Sequence, residues 1–134
     1  IKTPKVYFYD TGLVCYLTKW STPEVAEKGA MNGALFENYV VSEIIKNYQN
    51  TGIEPFIYFY RDRDGKEIDI ILEKDGKLHP IEIKKSVKPD IRITRTFSTL
   101  NKAPLEISTS AVICMANNIS AFNRENLIVP IWIL

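Results

Sequence analysis

Histidine and cysteine are scarce in this chain, with one of the former, His79, and two of the latter, Cys15 and Cys114. The cysteines lie far apart without metal-ligand spacing, each among apolar neighbours. This argues against a thiolate metal site and points to two buried thiols of a reduced, cytoplasmic protein. His79 sits beside a turn signal, opposite Leu72 in the expected hairpin, and reads as a surface strand residue rather than a base. Long apolar runs are missing too. None approaches the roughly 20 residues needed to cross a bilayer, and the N-terminus lacks the charged-then-apolar order of a signal peptide, so no membrane partner is expected. A charge excess of either sign is also absent: 17 Lys and Arg face 16 Asp and Glu, for a net +1. No global field therefore draws the chain to nucleic acid, and any such binding must come from a local patch. Internal repeats and low-complexity tracts are lacking as well.

What is present suffices for one core. At 134 residues and 46% apolar content the chain has the size and burial capacity of one domain, residues 1–134. It begins Ile-Lys-Thr-Pro rather than with Met, as a piece of a longer chain would. Residues 1–29 read as a lead-in. Val6 to Tyr9 is short, β-branched and aromatic and predicts a strand, Asp10 offers an N-cap for a brief helix through Leu13, Val14 and Leu17, and residues 18 to 28 read as a loop. From Ala30 to about Asn50 no proline occurs, and Phe36, Val40, Ile44 and Tyr48 recur at helical spacing. Three strands follow as a meander, Phe56 to Arg61, Glu67 to Glu73 and Leu78 to Lys85, separated by turn residues. Pro89 to about Lys102 is ambiguous: Ile91, Arg95 and Ser98 fit a helix, while the frequent Thr opposes one. Ala111 to Met115 and Leu127 to Leu134 are further apolar strands. The order predicts an α/β fold, a mixed central sheet flanked by helices.

The turn Lys74-Asp75-Gly76-Lys77 fixes the candidate chemistry. A two-residue type I′ loop at Asp75-Gly76 sets Lys74 against Lys77, and the register then runs back to place Asp69 opposite Glu82 and Glu67 opposite Lys84. By the period of two these four share one face, while Ile68, Ile70, Leu72, Ile81 and Ile83 share the other. Two facing carboxylates need a cation between them or a raised pKa on one partner. An all-oxygen donor set suits Mg²⁺ or Mn²⁺ better than Zn²⁺. The long helix adds Glu37, which falls near the middle of its apolar arc, where an ionised carboxylate is costly unless paired or metal-bound. Each piece also has a plainer explanation. Lys84 or Lys85 would neutralise opposed acids on a solvated face, and Arg61 would pair with a lone helical Glu.

Glu67-Ile68-Asp69 followed by Ile81-Glu82-Ile83-Lys84 resembles the D-x(n)-E-x-K signature of the PD-(D/E)xK nuclease superfamily, and the helix with Glu37 matches its accessory acid. The resemblance implies a restriction endonuclease-like core in which Asp69, Glu82 and Glu37 serve a Mg²⁺ or Mn²⁺ ion and Lys84 is the catalytic cation. One departure is that Ile68 stands where the signature's Pro would be. Over nearly the whole chain, from Pro4-Lys5-Val6-Tyr7-Phe8-Tyr9-Asp10 through Gly33-Ala34-Leu35-Phe36-Glu37 and Tyr60-Arg61, the sequence is similar to the uncharacterised C-terminal domain of prokaryotic AAA+-type ATPases. That likeness implies an upstream ATPase half as partner, through which alone ATP would enter, and leaves an oligomer open.

Asp10-Thr11-Gly12 resembles the active-site loop of aspartic proteases, but Leu13 opens an apolar helical pattern where those enzymes have a small residue. An N-cap accounts for the tripeptide. Lys84, Lys85, Lys88, Arg92 and Arg95, with Arg61 and Arg63 on the neighbouring strand, form a local basic run. It would hold a phosphate backbone, DNA before RNA, beside the metal, or else be ordinary solvated surface. Two functions therefore stand open: a Mg²⁺-dependent nuclease, or a nuclease-fold module that no longer cuts and serves regulation, nucleic-acid binding or protein interaction.

Overall fold

The computed structural model describes residues 4–134; residues 1–3, the start of the expected lead-in, lie outside it. Among the described residues a seven-stranded mixed sheet runs in the order β1-β2-β3-β5-β7-β6, with short β4 pairing alongside β3. The strands are β1 Phe56–Arg61, β2 Glu67–Lys74, β3 Lys77–Lys84, β4 Glu106–Ile107, β5 Ser110–Cys114, β6 Ser120–Ala121 and β7 Asn126–Pro130. Helices α1 Thr11–Leu17, α2 Pro23–Lys28 and α3 Asn32–Asn50 precede the sheet. The expected α/β architecture holds. No helix among the described residues is long and apolar enough to cross a membrane.

Helix α3 covers one face of the sheet. Val40, Val41 and Ile44 pack on Ile70, Ile81, Ile83, Ile113 and Ile131. The helix ends where expected: Gly52 takes φ +74° and its N–H reaches Gln49 O, while the Ile53 N–H reaches Tyr48 O. The other face is covered by a 3-10 segment, Ile91–Lys102, whose Phe97 and Leu100 pack on Ile68, Ile71 and Leu78. The ambiguity over residues 89–102 resolves in the hydroxyls. Thr94, Thr96, Ser98 and Thr99 each donate to the carbonyl three residues earlier, which favours the tighter coil over an α-helix. Residues Val112, Cys114 and Ile128 complete this layer.

Three expectations fail. Val6–Tyr9 forms no strand; Phe8 N–H and C=O are bonded instead by the Asn38 side chain, at 2.7 and 2.9 Å, so its polar groups are satisfied without a ladder. Residues 18–28 are not all loop, because Thr22 caps a short helix opened by Pro23 at the N-terminus. The last strand stops at Pro130, which has no N–H to extend the ladder, and Ile131–Ile133 turns away. Of the two free thiols, Cys114 is buried as expected and Cys15 is only half-buried.

Candidate functional site: a fork in the sheet

The hairpin forms in the expected register, from Lys74 opposite Lys77 to Ile70 opposite Ile81, with Asp75 and Gly76 at φ +52° and +72° as a type I′ turn requires. Beyond Ile70 the two strands part. In an unbroken ladder of this register the Ile83 N–H would bond the Ile68 carbonyl. The Asp69 carboxylate takes that N–H instead, Oδ2 accepting at 2.8 Å. A bulge sits at the same place: Tyr58 pairs with Ile71 but Tyr60 with Ile68, so Asp69 and Ile70 together oppose Phe59.

The bulge corrects the expected sharing of faces. Ile68 packs beneath the 3-10 segment with Ile71, whereas Ile70, Ile81 and Ile83 pack against α3. Glu82, alternating with Ile81 and Ile83, accordingly turns to the 3-10 side and accepts from Thr96 Oγ1 at 3.1 Å. Glu67, next to Ile68, turns the other way. The fork nevertheless brings the acids to one opening. Glu37, Glu67, Asp69, Glu82 and Lys84 line a cavity of about 520 Å³, with Arg61 and Arg92 among the residues around them.

Sequence reasoning missed the residue at its centre. Lys5 Nζ lies 2.9 Å from Glu37 Oε1 and 3.8 Å from Asp69 Oδ1 and pairs closely with Glu67. It stands 5.8 Å from the centre of the Phe59 ring. Tyr7 OH donates to Glu37 Oε1 at 2.6 Å. No hairpin register or helix period reaches Lys5 and Tyr7, so the sequence carried no signal that placed them here. Glu37 is thus paired, as an acid on an apolar helix face must be, but by Lys5 rather than Arg61. Arg61 instead chelates its cross-strand neighbour Glu67 at 2.7 and 3.0 Å.

Burial and hydrogen bonding to neighbouring charges together set the titration of these groups. It would lower the Lys5 pKa, but the hydrogen bonds to Glu67 and Glu37 outweigh it and hold the ammonium above its usual value. Burial, followed by the bond to Glu37, raises Tyr7. Glu67 is held low although burial opposes this, because Lys5 and Arg61 both donate to it. Asp69 is raised, by burial first and by Glu37, partly offset by the Ile83 N–H. Glu82, only 5% exposed, is pushed up to about 7 by burial and then by Asp69. The chain resolves the opposed carboxylates partly by raising their pKa and partly with the Lys5 ammonium.

Among the described residues no three acidic, histidine or cysteine side chains are preset as a metal cage. Glu37 and Asp69 instead share the Lys5 ammonium, and Glu82 Oε2 lies 3.4 Å from Lys84 Nζ. Their chemistry nonetheless fits a hard divalent cation: crowded oxygen donors, one raised near neutrality, with no competing soft ligand.

Residues 32–134 match the family described as Domain of unknown function (DUF4143). The chain belongs to DUF4143. Glu37, Asp69, Glu82 and Lys84 fall within the matched span, and Lys5 and Tyr7 before it. The chain is similar to uncharacterized proteins of Mycobacterium bovis and Mycobacterium tuberculosis, 27% identical to each over 90 residues, 67% of this chain and 20% of each relative. It therefore spans about a fifth of the length of the curated relatives it matches. No solved structure matches it.

The expected basic patch of this DUF4143 chain divides. Lys84, Arg61 and Arg92 line the cavity, Arg92 being also chelated by Asp90. Lys85 donates to Glu27 O at 3.2 Å, and Lys88 and Arg95 are exposed, none of the three reaching the cavity wall. His79 Nδ1 lies 2.9 Å from Thr109 O, remote from the acids in the register.

Proposed function

We propose that this domain is a Mg²⁺-dependent nuclease with a restriction endonuclease-like core, hydrolysing nucleic-acid phosphodiester bonds in the service of an attached AAA+-type ATPase. The observation that carries the proposal is the fork itself: adjacent strands open beside Asp69 and Glu82 at the rim of a cavity that also holds a lysine two residues beyond the second acid. Asp69 and Glu82 would hold the cation, with Glu37 as the third acid. When bound, the cation would supply Lewis acidity toward a phosphoryl oxygen and favour deprotonation of water.

The chain's own groups do the rest. Lys84 Nζ, 45% exposed by side chain and steadied by Glu82, can pair with a phosphate oxygen as negative charge builds on it. Arg61 and Arg92 stand at the same opening and can neutralise neighbouring phosphates of the strand. Glu82 ionises near neutrality, so its readiness to accept a cation rises across the physiological range. Lys85, Lys88 and Arg95 would extend the phosphate track outside the cavity.

A second function has its own support. Lys5 fills the space between the acids, and net charge is only +1. Both suit a nuclease-fold module that binds or regulates without cutting. Incubating the protein with single- and double-stranded DNA and RNA, with and without Mg²⁺, separates the two. The nuclease requires Mg²⁺-dependent cleavage that falls about 10²-fold or more in Lys84→Ala. Equal cleavage by both proteins would mark a contaminant, and none by either favours the module.

A further inference from the structure

The segment that carries Lys5 is held in an unusual way. Residues 4–10 have no strand or helix of their own. They are pinned to α3 by side chains: Asn38 grips the Phe8 backbone at both its N–H and its C=O, Tyr7 OH bonds Glu37, and Lys5 pairs with Glu37 and Glu67. Val6 is 77% exposed and Tyr9 58%, so the apolar anchoring of the strap rests on Tyr7, which packs against the core under α3. What holds it is the charge of Lys5 among the acids together with the hydrogen bonds of Asn38 and Tyr7 and the packing of the Tyr7 ring.

We propose that Lys5 is a tethered competitor for the cation: its ammonium, set between Glu37 and Asp69, and a divalent ion held by Asp69 and Glu82 with Glu37 as third acid exclude one another. Filling the site with metal therefore expels Lys5 and loosens residues 4–10 from α3. The proposal deepens, and rests on, the assignment of Asp69 and Glu82 as cation ligands. The physical reason is direct. An ammonium within 4 Å of both Glu37 and Asp69 already satisfies the charge that a metal would satisfy, and two cations at that spacing inside a partly buried cavity repel strongly. Lys5 and Tyr7 both hold Glu37 Oε1, so that oxygen can face a cation only when Lys5 withdraws. Cation affinity and strap position are then linked, each lowering the other by the same factor. The strap is suited to release because no ladder hydrogen bond must be broken, only side-chain contacts.

Calorimetric titration of Mn²⁺ into the wild type, Lys5→Met, Asn38→Ala and Asp69→Ala, with amide exchange of Phe8 measured by NMR with and without Mg²⁺, decides the matter. Lys5→Met removes the charge at similar length, and Asn38→Ala loosens the strap while leaving every charge in place. The second variant keeps the test open if the first, with its unpaired acids, fails to fold by circular dichroism. The expected result is Mn²⁺ affinity raised about tenfold or more in Lys5→Met and raised in Asn38→Ala, with Mg²⁺ accelerating Phe8 exchange in the wild type. Equal Mn²⁺ affinity in the wild type and both strap variants, with Phe8 exchange unmoved by Mg²⁺, overturns the competition while leaving the metal site intact. Absence of binding in every protein, or undiminished binding in Asp69→Ala, overturns the ligand assignment and the competition with it.

Discussion

Glu82 carries the clearest pH signature of any single side chain. Its carboxyl titrates near 7 in the folded chain, raised by burial and by Asp69, against 4.5 when free. A group whose folded pKa is raised contributes stability that is complete below the free value and lost as pH rises through the folded one. The Glu82 contribution to stability should therefore fall between about pH 4.5 and pH 7 in thermal melts, and Glu82→Gln should flatten that fall. A wild type and variant that track each other across the window would show that Glu82 titrates normally. Asn38 makes a second residue-scale prediction. It is 7% exposed and its side chain satisfies the backbone of Phe8, so Asn38→Ala should cost about 1–3 kcal/mol in urea denaturation, a cost that Asn38→Asp recovers only on the accepting side. No loss in the alanine variant would mean that water replaces both bonds without penalty.

The β2–β3 hairpin shows how far elements can be read from residues. Asp75-Gly76 dictated turn type and register, because Asp and Gly take positive φ more cheaply than most residues, and the observed pairing follows it from Lys74 to Ile70. Gly76→Ala should accordingly cost about 1 kcal/mol in chemical denaturation, since a Cβ is strained at φ +72° even with open space around it. An unchanged midpoint would contradict the turn assignment. The bulge at Asp69-Ile70 was not legible. It arises from pairing with β1 across the sheet, a non-local choice that no period within β2 records, and it is what splits the expected polar face. The Val6–Tyr9 strand was misread for a related reason. Local β propensity favoured a strand there, but a side chain from α3 supplies the Phe8 hydrogen bonds that a neighbouring strand would have given. Thr22-Pro23 did carry a legible helix start, yet a helix of one and a half turns is too short for periodicity to reveal. The frequent hydroxyl residues Thr94, Thr96, Ser98 and Thr99 signalled trouble for an α-helix without saying that a 3-10 coil would take its place.

At the scale of the whole molecule, the two layers over the sheet furnish the fork from opposite sides. Helix α3 delivers Glu37 from one side, and the 3-10 segment delivers Thr96 and Arg92 from the other. Phe97 is 5% exposed and anchors the second layer on Ile68, Ile71 and Leu78. Phe97→Ala should therefore cost about 3–5 kcal/mol by denaturant unfolding and release the Thr96 contact to Glu82. A variant of full stability would show that the segment is not packed as described. The candidate acids were readable from the sequence because hairpin register and helix period both constrain them. Lys5 was not, because only the closed fold brings a residue from the chain's start against acids on α3 and β2. The measurement that bears most directly on the central claim is calorimetric titration of the folded domain with Mn²⁺ at pH 8, where Glu82 is ionised, beside the same titration of Asp69→Ala. Saturable binding near one ion per chain that disappears in the variant is the predicted result. Identical heats from the two proteins would contradict a cation site at the fork.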